Sequence, residues 1–326
     1  MPQDASPPTD PPAPLDGFRG DRTYLGADHA RNERRVWLAA AISCVALGLQ
    51  LVGGIVFQSM ALLAGGIHTA AHVAALSVAG VAYLLSRRLA KDRRFSFGAG
   101  KIGYLAAFAN AVALGVTALL LAVEALNHLS GGEAAHYHEA TQLAFAALAV
   151  NLVCMWLLRP PRRAPAGDRD LNLDAVHLHL AADVLVSVLA IGGLLAGDYL
   201  GWAWADPVAG LLGAGLVAHF AWSLARRSGA VLLDMNPDPQ MAGEIRRRLV
   251  ALEVEVLDLH LWRLGPGHQA AVAVLADPQR RSAAIFRAAL ADLPGLSHLT
   301  VEVRSADPPA AAESPAPALT RKSASV

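Results

Sequence analysis

The chain has 326 residues; 54% are hydrophobic, 17% are charged, and 27 basic side chains balance 27 acidic ones. Ordinary soluble domains carry about 25% charged residues, so much of this surface suits lipid better than water. The neutral balance lacks the basic excess of a nucleic-acid binder. The two cysteines, Cys44 and Cys154, fall in apolar runs and read as small buried hydrophobes, not as a disulfide or a Cys-x-x-Cys site.

In chain order, the opening MPQDASPPTDPPAPLDG lacks the basic-then-apolar pattern of a signal peptide, and its Pro and Asp content predicts a disordered tail over 1–33. Six apolar segments follow, at 36–57, 60–86, 102–126, 141–158, 175–196 and 201–224. Each has about the length a spanning helix needs. Ala, Leu and Gly dominate and the alternation of a barrel strand is missing. The expectation is an all-α membrane domain of six transmembrane helices over 34–227. From 228 to 305 the composition changes. PQMAGEIRRRLVALE reads as an amphipathic helix, EVLDLHLWRLG as a strand ending at Gly265-Pro266-Gly267, and HQAAVAVLA as a second strand. RRSAAIFRAALADL and LTVEVR add a helix and a last strand, giving a small α+β domain in the order α-β-β-α-β. Residues 306–326 read as a second disordered tail.

Basic residues sort by link. Arg31, Arg34 and Arg35 precede the first segment, a cluster from Arg87 to Lys101 joins the second and third, and Arg159, Arg162, Arg163 and Arg169 join the fourth and fifth. Arg226 and Arg227 follow the sixth, whereas the other three links hold no Lys or Arg. The positive-inside rule then predicts both termini in the cytoplasm of a bacterial inner-membrane-type protein.

Ionisable side chains at the bilayer centre are costly and mark function. The second segment carries His68 and His72, and the fifth carries His179 and Asp183, each pair spaced i, i+4 on one helix face. His72 lies about 18 Å from one end of its segment and Asp183 about 15 Å from the opposite end of its own, at 1.5 Å per residue. Both positions are near the middle of a hydrocarbon core about 30 Å thick. Three imidazoles and one carboxylate at one level suit tetrahedral Zn²⁺, Co²⁺ or Ni²⁺, and suit Ca²⁺ or Mg²⁺ poorly. The alternative is plain helix-packing hydrogen bonding. The residues point to a carrier of a divalent transition metal. An intramembrane metalloenzyme or a metal-sensing membrane protein is the alternative, but an enzyme needs an open metal position and a general base, and no His-Glu-x-x-His is present. No ATP-binding Gly-x-x-x-x-Gly-Lys-Ser/Thr loop occurs either.

The stretches SMALLAGGIHTAAHVAALSVAG and NLDAVHLHLAADVLVSVLAI resemble the second and fifth helices of cation diffusion facilitators. RRFSFGAGKIGYLAAFANAV and DLHLWRLGPGH are also similar to that family, and the resemblance spans roughly 33–304. It implies a transport site at His68, His72, His179 and Asp183, a homodimer, a ferredoxin-like, metallochaperone-like C-terminal domain, and exchange of metal for protons. The His-x-x-x-His pair in the second helix resembles the cobalt/nickel efflux branch. The metal is then cargo; no cofactor or catalytic residue is expected.

Other polar residues read less sharply. His177 fits packing or entrance lining. His128, His136 and His138, with Glu133 and Glu139, fit a solvated loop or weak metal contact on release. Gln50, Asn110, Asn151 and Asp206 fit helix–helix hydrogen bonds, with Asp206 also placed for an exit path. In the tail domain Asp258, His260 and Trp262 share one strand face, expected as a dimer contact, while Leu257, Leu259 and Leu261 share the core face. His268 and His298 are minor ligand candidates.

Overall fold

The structure is a computed structural model that describes residues 23–56, 60–131, 137–159, 170–202, 204–235 and 238–304. Six long helices come first: α1 His29–Val56, α2 Met60–Arg88, α3 Ile102–Gly131, α4 Tyr137–Leu157, α5 Leu171–Leu200 and α6 Ala205–Leu232. All six are long and apolar enough to cross a membrane. Their outward faces expose Leu49, Ile55, Leu119, Trp156 and Trp222, which suits contact with lipid.

Small residues set the packing. Ala107, Ala111, Ala118 and Ala221 lie in one buried cluster that joins α3, α5 and α6. Ala39, Ala40 and Ala79 lie in a second, which joins α1, α2, α4 and α5 around Leu76, Tyr83 and Leu180. Close backbone approach through such residues is how helices associate where lipid is as apolar as Leu. Helix α5 belongs to both clusters, so it is the shared wall of the domain.

Helix ends follow local chemistry. Asp170 caps α5, accepting from Asn172 N and Leu173 N. The helix ends at Gly201, whose φ of 68° is left-handed. That cap corrects the expectation of a sixth segment starting at 201: α6 starts at Ala205 and runs on to Leu232, past the 227/228 boundary read from composition. Order also begins ahead of residue 33. Tyr24 is buried against Leu264 and Ala270, and α1 is helical from His29.

The tail domain holds α7 Pro239–Val250, β1 Glu255–Gly265, β2 His268–Ala276, α8 Ala283–Leu290 and β3 Leu296–Arg304. This is the expected α-β-β-α-β order. The sheet runs β1-β2-β3, antiparallel between the first two and parallel between the last two. Ile245 and Leu249 of α7 and Phe286 and Leu290 of α8 pack on Leu261, Ala271, Ala273 and Leu275. One expected core residue is corrected. A bulge between Val256 and Asp258 adds Leu257 to the strand, so Val256 joins the core with Leu259 and Leu261 while Leu257 is 49% exposed. An inserted residue reverses the alternation of faces upstream of it.

The opposite face of the sheet meets the membrane domain. Phe97, in the α2–α3 link, stacks edge-on against Trp262 with centroids 5.4 Å apart. Trp262 is therefore partly covered within its own chain. Gly100 and Gly265 let three backbone segments touch. A Cβ on Gly265 would lie 2.2 Å from Tyr24 O, and one on Gly100 2.4 Å from Leu264 O. Lys101 forms an ion pair with Asp234, tying the same link to the end of α6.

Candidate metal centre

Helices α2 and α5 meet over a short stretch. There His72 on α2 faces His179 and Asp183 on α5. His179 and Asp183 lie one turn apart, so both point to the same side of α5. His72 Nδ1 is 3.1 Å from Asp183 Oδ2, and His179 Nε2 is 3.6 Å from the same oxygen. The imidazole centroids are 5.4 Å apart and their planes differ by 33°. Ligand atoms from all three residues lie within 4.8 Å of one another. The three side chains are 4%, 7% and 7% exposed, so solvent does not solvate their charge.

These separations fit a metal. Tetrahedral zinc with bonds of about 2.0–2.1 Å has ligand atoms about 3.3 Å apart along each edge. Two of the observed separations bracket that edge. Neither buried nitrogen of His72 makes a well-formed hydrogen bond, although one lies beside the carboxylate. An imidazole this near a carboxylate without hydrogen-bond geometry leaves both atoms able to bridge a common ion. Among the described residues this is the one group of three or more His, Cys, Asp or Glu side chains able to hold an ion.

His68 lies on α2 one turn before His72; its side chain is outside the described residues. His177 is not part of the cluster. His136, Glu133 and the side chains of His138 and Glu139 also lie outside the described residues, and His128 is exposed at the end of α3. Asn110 donates to Ala75 O at 3.4 Å, a helix–helix contact. Asp206 is half-buried where α6 starts, and its Cα would be 2.7 Å from a Cβ on Gly193 of α5, so it marks a close helix crossing. In the tail, His268 is engaged at both nitrogens, by Ser297 Oγ at 2.7 Å and Leu25 O at 3.2 Å. His298 lies edge-on to Phe97, and His260 pairs with Asp258 at 2.7 Å on an exposed face.

Sequence reading missed the cluster that ties α1, α2 and α5 together at the end nearer the tail domain. Tyr83 Oη donates to Asp170 Oδ2 at 2.5 Å, and Asn32 Nδ2 donates to the same oxygen at 3.1 Å. Asn172 Nδ2 donates to Ala79 O at 3.0 Å, and His29 Nε2 meets Tyr83 O at 3.1 Å. The available signal was an Asp two residues before an Asn at a helix start, a capping pattern.

The six helices and the buried His–His–Asp cluster define a polytopic membrane protein with a group of side chains able to hold a metal ion. Residues 36–233 match the cation efflux transmembrane domain, so the chain belongs to the cation efflux family, the cation diffusion facilitators. It is 33% identical over 237 residues to the zinc transporter ZitB of Escherichia coli K12, covering 72% of this chain and 74% of that protein. It is 28% identical over 290 residues to the metal cation efflux system protein CzcD of Cupriavidus metallidurans, covering 85% and 90%. It is 28% identical over 223 residues to the cadmium, cobalt and zinc/H⁺-K⁺ antiporter of Bacillus subtilis, covering 67% and 70%. The chain is thus an integral membrane transporter for divalent metal cations, not an enzyme.

Proposed function

We propose that the chain exports a late first-row divalent cation from the cytoplasm in exchange for protons, using His72, His179 and Asp183, with His68 as fourth ligand. The observation that carries this reading is the buried trio at tetrahedral spacing, contributed by two helices that touch only briefly. A site split between two helices can be opened to either side by a modest shift of one against the other. Protons compete for the same groups, because metal needs neutral imidazole and ionised carboxylate. An unperturbed His titrates near pH 6.5, so an acidic exterior favours release and a more alkaline cytoplasm favours loading. The Arg- and Lys-rich links support cytoplasmic termini in a bacterial inner membrane. The working unit is a homodimer, as the family resemblance implies.

Metal choice follows from ligand type. Zn²⁺ fits the set and is what ZitB is named for. A second histidine on α2 where a carboxylate could stand removes one negative charge and softens the shell, which favours Co²⁺ or Ni²⁺. Flux of each metal into inside-out vesicles, with and without an acidic lumen, tests both claims. His179→Ala should abolish flux while membrane insertion persists. Undiminished flux in that variant refutes the site, and flux indifferent to the pH gradient, with no counter-movement of protons, refutes the antiport.

A further inference from the structure

Among the described residues α4 adds nothing to the metal-binding trio, yet one of its side chains reaches it. Cys154 is fully buried in the cluster of Ala39, Leu76 and Leu180. Its thiol lies beside the His72 ring; Cys154 and Asp183 are the two side chains placed to hydrogen-bond to that imidazole. Asp183 stands at the Nδ1 side, 3.1 Å away. Nε2 is buried and lacks a well-formed hydrogen bond. The sulfur has capacity to spare. Its S–H donates to Ala39 O of α1 at 3.9 Å, so toward Ser43 Oγ, 3.7 Å away, it is the acceptor. A thiol sulfur accepts weakly through two lone pairs, and one remains. Cys154 is not among the side chains that converge on a single ion.

We propose that Cys154 is a positioning residue for His72: its sulfur accepts Nε2–H, which fixes the tautomer and leaves the Nδ1 lone pair facing Asp183 and the metal. This rests on the metal-export reading above. A metal-bound histidine almost always donates its other ring N–H, and the acceptor sets the ring's orientation and its basicity as a ligand. A carboxylate in that place would make the imidazole a stronger base and a tighter ligand. Sulfur polarises the ring less, so it orients His72 while adding little affinity. That suits an ion which must leave again. The competing acceptor is a water. A cavity of about 20 Å³ lined by Gln50, Thr69, His72 and Asn151 adjoins the ring, and it holds about one molecule.

The test uses the full chain and Co²⁺ as probe, reading equilibrium affinity and the spectrum of the bound ion. Cys154→Val keeps an apolar side chain of similar size and removes the acceptor. Cys154→Ala removes it without added bulk, and Cys154→Ser keeps an acceptor. Gln50→Leu strips the cavity water of a partner. The expected result is Co²⁺ affinity about tenfold weaker in the Val and Ala variants, with shifted visible bands, and within about threefold in Cys154→Ser and Gln50→Leu. The unaltered protein should show no sulfur-to-cobalt charge-transfer band. Such a band overturns the proposal, because Cys154 is then a ligand. Val and Ala variants within about threefold of the unaltered protein overturn it too. A Ser variant as weak as Val also does so, because shape and not the acceptor then matters. Loss of affinity in Gln50→Leu alone assigns the acceptor to water and overturns it. Failure of the unaltered protein to bind Co²⁺ or Zn²⁺ is a separate result, which overturns the metal centre and its support together.

Discussion

Tyr83→Phe isolates one hydrogen bond and should change which side of the membrane reaches the metal centre. In the structure Tyr83 Oη donates to Asp170 Oδ2 at 2.5 Å, closing α2 on α5 at the end nearer the tail domain. Removing the hydroxyl does not orphan the carboxylate, which still accepts from Asn32 Nδ2 and from the backbone of Asn172 and Leu173. The loss is therefore close to the bond itself, about 1.5–3 kcal/mol for a hydrogen bond to a charged group. If the bond exists only while this end is closed, the closed-to-open ratio falls by about ten- to a hundredfold. Val176→Cys supplies the reporter, since Val176 is 2% exposed in the cluster that Tyr83 caps. In a background with Cys44 and Cys154 replaced, a membrane-impermeant maleimide applied from the tail-domain side should label this cysteine faster by the same factor. A labelling rate within about twofold of the Tyr83 protein refutes the latch.

Three further outcomes follow from other contacts. His72→Asp restores a carboxylate to α2 and should move competition in vesicles from Co²⁺ or Ni²⁺ toward Zn²⁺; unchanged ranking counts against the charge argument. Gly265→Ala places a Cβ 2.2 Å from Tyr24 O, so residues 24–26 should lose hydrogen-exchange protection; retained protection shows that the joint can yield. Hydrogen bonds from the Arg281 side chain, against the opposing effect of burial, hold the Asp277 carboxyl at about 2, below its ordinary 3.8. Its folded-state value is lowered, so its contribution to tail-domain stability is complete above pH 4 and lost as pH falls through about 2. Arg281→Met should weaken this acid dependence in exchange of β2 and α8 of the full chain, leaving the part due to the backbone N–H groups of Gln279 and residue 281.

Much of the molecule is legible in its sequence because lipid imposes strict rules. Helix count and the tail's element order follow from apolar run length and alternation. The His72–His179–Asp183 cluster follows from the cost of ionisable groups at the bilayer centre, joined to helical periodicity. What escaped the sequence depends on single-residue geometry. The bulge at Leu257 inserts one residue and shifts Val256 inward, and no residue type announces it. Gly201 sits in an apolar run like its neighbours, so its left-handed cap is invisible until the backbone is seen. Tyr83 and Asn32 look like ordinary helix residues, because their partner Asp170 is distant in sequence. Trp262 reads as an interface aromatic, and nothing in the sequence signals that part of its surface meets Phe97 of the same chain.

The contact of Gly100 and Gly265 with the backbone of Tyr24 and Leu264 makes three distant stretches of chain a single mechanical joint. Such a surface has no side chains at its centre to re-pack, so it accepts one fit and few compromises. The tail domain is consequently not a freely exchangeable cartridge. A chimera carrying a relative's tail should work only when the segment before α1 and the α2–α3 link are transplanted with it. The practical unit of inheritance is the joint together with the domain it seats.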